Sequence, residues 1–153
     1  TVEANDMAAV QMLSSRVKQG SIEAYVGGAA LNIYNTQTLE KLSSVGLTRW
    51  VMPVEHAATI LDDFRVPASV ETEVFAWGKL PLAYSARCYT ARTHNTAKDD
   101  CELRCLDYPD GLLLSTREAE SLLVLNGIQT QSARTHSLIK VLDHPKVDIF
   151  RIS

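Results

Sequence analysis

Over its first half the chain switches repeatedly between short runs suited to strands and longer runs with helical spacing, and that switching admits few folds. Thr1 to Ala4 reads as the end of a strand. Ala8, Ala9, Met12, Leu13 and Val17 then recur at helical spacing, behind Asn5 or Asp6 as a cap. Ile22 to Val26 and Ala30 to Tyr34 read as extended, interrupted by Gly27-Gly28, and Asn35-Thr36 opens a second helix that stops at Gly46. Arg49 to Met52 is a short strand. A third helix follows Pro53 with Ala57, Ile60, Leu61 and Phe64 as its buried stripe, and Val70 to Ala76 alternates as a strand. Repeated β-α-β units make a parallel sheet, and right-handed crossovers turn it into a doubly wound sheet or a closed barrel.

The rhythm breaks between Gly78 and Gly111, a polar stretch too long for a mere connector. Leu112 to Leu114 and Leu122 to Leu125 read as a short inserted β-hairpin, with Ser115-x-x-Glu118 offering one capped helical turn between the strands. Ser132 to Leu142 reads as a helix and Val147 to Ile152 as a last strand. With 46% apolar residues, the 153-residue chain is expected to bury one core as a single domain over residues 1–153. A complete eight-stranded β/α barrel needs about 250 residues, and both ends of this chain fall in or beside strands. The expectation is therefore a piece of a larger protein.

All three cysteines, Cys88, Cys101 and Cys105, lie within the polar stretch, among Arg87, Arg92, Lys98 and Arg104. Thiolates beside cations suit a soft metal or an iron–sulfur group. Spacing alone leaves this open against ordinary surface thiols, because CxxxC is not diagnostic. Zinc held by three thiolates and His94 is the rival metal reading, with His94 as a solvated loop residue the plainer one. His56, His136 and His144 read as surface or capping side chains. Clustered cysteines in odd number fit a reducing compartment, so a cytoplasmic location is expected.

Fifteen basic against eighteen acidic residues give a net charge of −3, which makes no case for nucleic-acid binding. Lys79, Arg87, Arg92, Lys98 and Arg104 near Tyr84 and Tyr89 form a diluted basic patch, better suited to offsetting thiolate charge. No apolar run is long enough for a transmembrane helix, so no membrane insertion is expected. There is no GxSxG elbow and no HExxH helix.

In the last strand of the first half, period two puts Glu71, Glu73, Phe75 and Trp77 on one face, and Val70, Thr72, Val74 and Ala76 on the face suited to helices. Glu3, Asn5, Asn32, Asn35 and Glu55 fall at or near strand C-terminal ends, where β/α folds place their sites. Together with Glu71, Glu73 and Arg87 they make a candidate polar pocket. The competing reading has Asn5 and Asn35 as helix caps and the glutamates paired with Arg49, Arg87 or Arg151.

Four pieces carry a resemblance to a known family: VEAND at 2–6, LNIYN at 31–35, RWVMPVE at 49–55, and the stretch from Leu80 to Gln131 that runs from LPLAYSARC to LNGIQTQ. In them the chain resembles the collagenase-like peptidase family U32, and is most similar to its UbiV branch. The resemblance implies a partial β/α (TIM-like) barrel with a cysteine-bearing loop over 78–111. It implies a 4Fe-4S cluster in the complete protein, with Cys88, Cys101 and Cys105 as three of four ligands. The fourth cysteine of that branch lies upstream of the residue matching Thr1. The fragment is therefore expected to lack a complete cluster, and the open edges of a truncated sheet, with half-covered strands at Arg49 to Met52 and Val147 to Ile152, lead to the expectation that it self-associates. A UbiU-like sister protein is the implied partner, in oxygen-independent hydroxylation during ubiquinone synthesis. The broader family carries a histidine before Gly78 and a cysteine at the position of Pro81, where this chain has Trp77 and Pro81, so a peptidase is the weaker expectation.

Overall fold

Local signals in the first half turn into elements much as their spacing requires. In a computed structural model, which describes residues 1–57, 59–138 and 143–153, β1 (Glu3–Ala4) leads to α1 (Met7–Lys18). Asp6, not Asn5, caps α1, its carboxylate accepting from Ala9 N at 2.8 Å. Strand β2 (Tyr25–Gly27) is followed by α2 (Thr36–Ser43), capped by Asn35, whose Oδ1 accepts from Thr38 N at 2.8 Å. Gly46 turns the chain at φ +106° into β3 (Leu47–Val51), a conformation that favours glycine. A short α3 (Ile60–Asp63) precedes β4 (Glu71–Gly78), and β10 (Ile149–Ile152) comes last.

Two compact units form: residues 1–76 with 138–152, and residues 77–137 with Ser153. In the first unit the strand order is β1-β2-β3-β4-β10. The β1-β2, β2-β3 and β3-β4 pairs are parallel. Asp148 N donates to Thr72 O, which sets β10 beside β4. One face of the sheet packs on the helices, burying Ala4, Tyr25, Trp50, Val70 and Val74 against Val10, Leu39, Leu42, Leu61 and Phe64. Trp50 stacks on Phe64 with ring centroids 4.4 Å apart. This is the α/β layering that the alternation requires.

The second unit holds an antiparallel sheet in the order β5-β8-β7-β6, from β5 (Pro81–Tyr84), β6 (Leu112–Ser115), β7 (Ser121–Asn126) and β8 (Gln129–Ser132). The expected hairpin is thus the β6-β7 pair of a four-stranded sheet. Helix α4 (Tyr89–Thr93) packs on β7, burying Thr90, Ala91 and Val124. At the start of this unit, Trp77 and Gly78 pair with β9 (His136–Ser137).

Four local expectations are corrected. Ala30 to Tyr34 is not a strand: Ala29–Leu31 forms a 3₁₀ turn that ends at Asn32 in the left-handed region. The third helix is a single turn, and Ala57 is exposed because it precedes that turn; Ala58 lies outside the described residues. No helical turn follows Ser115: Thr116 Oγ1 accepts from the backbone of Glu118 and Glu120, and Ala119 takes φ +65°. Ser132 to Ser137 is not helical, because Ser132 ends β8 and His136–Ser137 pairs with β4; residues 139–142 of that expected helix lie outside the described residues. In the third case the Thr116 hydroxyl captures the turn's backbone donors, and in the fourth cross-strand pairing outweighs local helix signals.

Candidate functional site

The parallel sheet turns a polar face away from its helices. Glu71 stands opposite Arg49 in register, and Arg49 Nε donates to Glu71 Oε2 at 2.9 Å. Arg49 also reaches the nearly buried carboxylate of Glu73 at 3.6 Å, and Arg151 Nε donates to the other oxygen of Glu73. Arg151 Nη2 bonds Glu3 Oε2 at 2.6 Å, and Asn5 Nδ2 donates to Glu3 Oε1 at 2.9 Å. The Arg151 guanidinium also lies over the Phe75 ring, 5.2 Å from its centroid.

Burial alone would raise the Glu3 carboxyl. Hydrogen bonds from Arg151 and Asn5, and the Arg151 charge, outweigh that and hold it below the ordinary carboxylate value. Burial likewise pulls Arg151 down, but Glu3 and Glu73 more than compensate and keep it charged. Of the expected pocket residues, then, Glu3, Asn5, Glu71 and Glu73 meet on this face, through the arginine pairing of the competing reading. Asn35 is spent on a helix cap.

Glu55 is exposed in the segment after β3, beside the Tyr34 hydroxyl, which partial burial and the Glu55 carboxylate together raise above its usual value. His56 meets the Tyr34 ring edge-on at 5.1 Å and is half-buried, with its Nε2 unpartnered among the described residues. Its reading as a surface side chain is corrected. Gly28 is a further site residue that composition did not single out: a Cβ there would overlap Asn5 Oδ1 and Glu3 Oε1. Only the packed structure reveals that approach.

In the second unit, Cys88 occupies the cap position just before α4, Cys101 follows the 3₁₀ turn Lys98–Asp100, and Cys105 lies in the 3₁₀ turn Arg104–Asp107, which packs against α4. Short elements therefore order a stretch expected to be a loop. All three cysteines are free thiols and half-buried. Cys105 Sγ donates to Leu103 O at 3.7 Å. His94 is half-buried rather than solvated, its Nε2 3.2 Å from the Tyr108 hydroxyl. Among the described residues, no three His, Cys, Asp or Glu side chains are gathered to hold a metal ion. In kind, however, three unpaired thiols fit an iron–sulfur group, and such ligands commonly come together on binding. Lys79 is engaged by Asp110 O and Arg104 by Glu102, while Arg87 and Arg92 are exposed and have no carboxylate partner among the described residues.

The family model described as Peptidase family U32 matches residues 1–143. The chain belongs to Peptidase family U32. The matched stretch of this U32 chain takes in Glu3, Asn5, Arg49, Glu71 and Glu73 of the polar sheet face and the three cysteines, while Arg151 lies beyond it. No solved structure matches it. Among its described residues no helix is long and apolar enough to cross a membrane.

Proposed function

We propose that this U32 chain is the part of a UbiV-like protein that supplies Cys88, Cys101 and Cys105 as three of the four ligands of a 4Fe-4S cluster. The observation that carries the reading is the state of the thiols: all three cysteines of the chain are free, half-buried and in one compact unit. When bound, a cluster of this type supplies one-electron transfer. The chain's own part is to hold iron through the three sulfurs and to offset the negative charge of the thiolates with Arg87 and Arg92.

We read the parallel sheet as part of a β/α barrel, a reading supported by its strand order and by the ion pair that draws β10 toward β1. In the complete protein, beside a UbiU-like partner, this assembly would support oxygen-independent hydroxylation in ubiquinone synthesis. Trp77 and Pro81 stand where the peptidase pattern of the family differs, which favours this role over proteolysis.

The test is iron and acid-labile sulfide analysis of the complete protein purified without oxygen. About four irons and four sulfides per protein are expected, lost when any of the three cysteines becomes serine. Stoichiometric zinc without sulfide would overturn the assignment, as would full iron content in the Cys88→Ser, Cys101→Ser and Cys105→Ser variants.

A further inference from the structure

A cavity of about 300 Å³ opens beside α4, and Cys88 is its one cysteine. Ala86, Ala91 and Ile128 supply apolar wall, and the cationic residues Arg87 and Arg92 also line it. The volume lies at the small end of the range for small-molecule sites, about 300–1,000 Å³. Neither arginine is neutralised by a carboxylate among the described residues. Two uncompensated cations and a thiol around one cavity ask for a ligand carrying two anions and a sulfur.

We propose that Cys88, when free of metal, is a site of reversible mixed-disulfide formation with a small anionic disulfide of the glutathione class. Arg87 and Arg92 pair with the ligand's carboxylates, and the cavity holds its peptide body. The Cys88 thiolate attacks one sulfur of the oxidised ligand; the ligand's S–S bond breaks and a Cys88–sulfur bond forms. The other half leaves as a thiolate and takes up the proton that Cys88 gave up. The incoming disulfide is the oxidant, so no further co-reactant is needed. Cys101 and Cys105 do not line the cavity and lack this recognition. The inference does not rest on the cluster reading, which iron and sulfide analysis tests separately.

The experiment uses the reduced, metal-free chain, treated in parallel with oxidised glutathione and with the uncharged 2-hydroxyethyl disulfide, and followed by intact mass and peptide mapping. Oxidised glutathione should modify Cys88 about tenfold faster than Cys101 or Cys105, in line with electrostatic capture. In an R87Q/R92Q double variant that preference should vanish, with oxidised glutathione slowed at Cys88 well beyond the uncharged disulfide, which reads the effect of the arginines on the thiolate alone. A far-ultraviolet circular dichroism spectrum matching the parent's shows that the variant is folded. Equal labelling of the three cysteines by oxidised glutathione would overturn the proposal. So would an arginine variant that slows both disulfides alike, because the arginines would then act on the thiol and not on the ligand.

Discussion

Arg151 Nη2 donates to Glu3 Oε2 at 2.6 Å and so joins two strands at opposite ends of the parallel sheet. In a flat sheet, four strand spacings would separate β1 from β10 by about 19 Å, further than the two side chains together can stretch. The sheet must therefore curl, with Glu3, Arg49, Glu73 and Arg151 on its concave side. The same curl explains how Glu73 and Phe75 are nearly buried on the face without helices.

Arg151 and Arg49 both reach the nearly buried carboxylate of Glu73. Arg151→Met should lower unfolding free energy by about 3 kcal/mol, since it strips a nearly buried carboxylate of its closest partner. The Arg151→Met/Glu73→Gln double variant should lose less than the sum of the two single losses. Urea unfolding of the four proteins checks both expectations; strict additivity would mean the pair is not coupled.

Acid should act through Glu3. Its folded-state value lies below its unfolded value, so its contribution is fully present above the unfolded value and is lost as pH falls through the folded one. Stability should therefore drop below about pH 4, the ordinary carboxylate region. Glu3→Gln should be less stable than the parent at neutral pH and lose less on acidification. Thermal melts from pH 7 to pH 3 measure this, and parallel curves for the two proteins would assign the acid sensitivity to other groups.

Gly28→Ala tests close packing rather than backbone freedom, because Gly28 has an ordinary φ of −71°. The added methyl must displace Asn5 and Glu3, at a cost of about 1–3 kcal/mol. Differential scanning calorimetry should show a lowered Tm, with most of the loss recovered in Gly28→Ala/Asn5→Ala. Recovery would identify the Asn5 carboxamide as the obstacle, and its failure would locate the strain in Glu3.

Lys146 closes α3. Its Nζ donates to Leu61 O at 2.6 Å and to Asp62 O at 2.7 Å, carbonyls at the end of a one-turn helix. Lys146→Met keeps the aliphatic stem and should cost roughly 1–2 kcal/mol. Hydrogen exchange should quicken at the amides of residues 60–64 and stay unchanged in β2; uniform quickening across the first unit would point to global rather than local loosening.

The alternation of spacing in the first half was enough to set α/β layering, and the strand VETEVFA was enough to separate a helix-packed face from a charged one. Both follow from periodicity, which a backbone converts directly into faces. The Asn35 cap and the clustering of all three cysteines in one stretch were legible for the same reason, being local in sequence. What spacing could not reveal depends on residues brought together from afar. Ser132 to Ser137 carries helix-compatible residues, yet both its ends, Ser132 and His136–Ser137, pair in sheets because partners at Leu123 and Trp77 offer backbone hydrogen bonds. Helix or strand at such a place is decided by the neighbour, not by the segment. The curl that lets Arg151 find Glu3, the approach of Asn5 to Gly28 and the cavity beside Cys88 belong to the tertiary structure alone. Each arises where separate elements fill the same space, and chain spacing carries no measure of that.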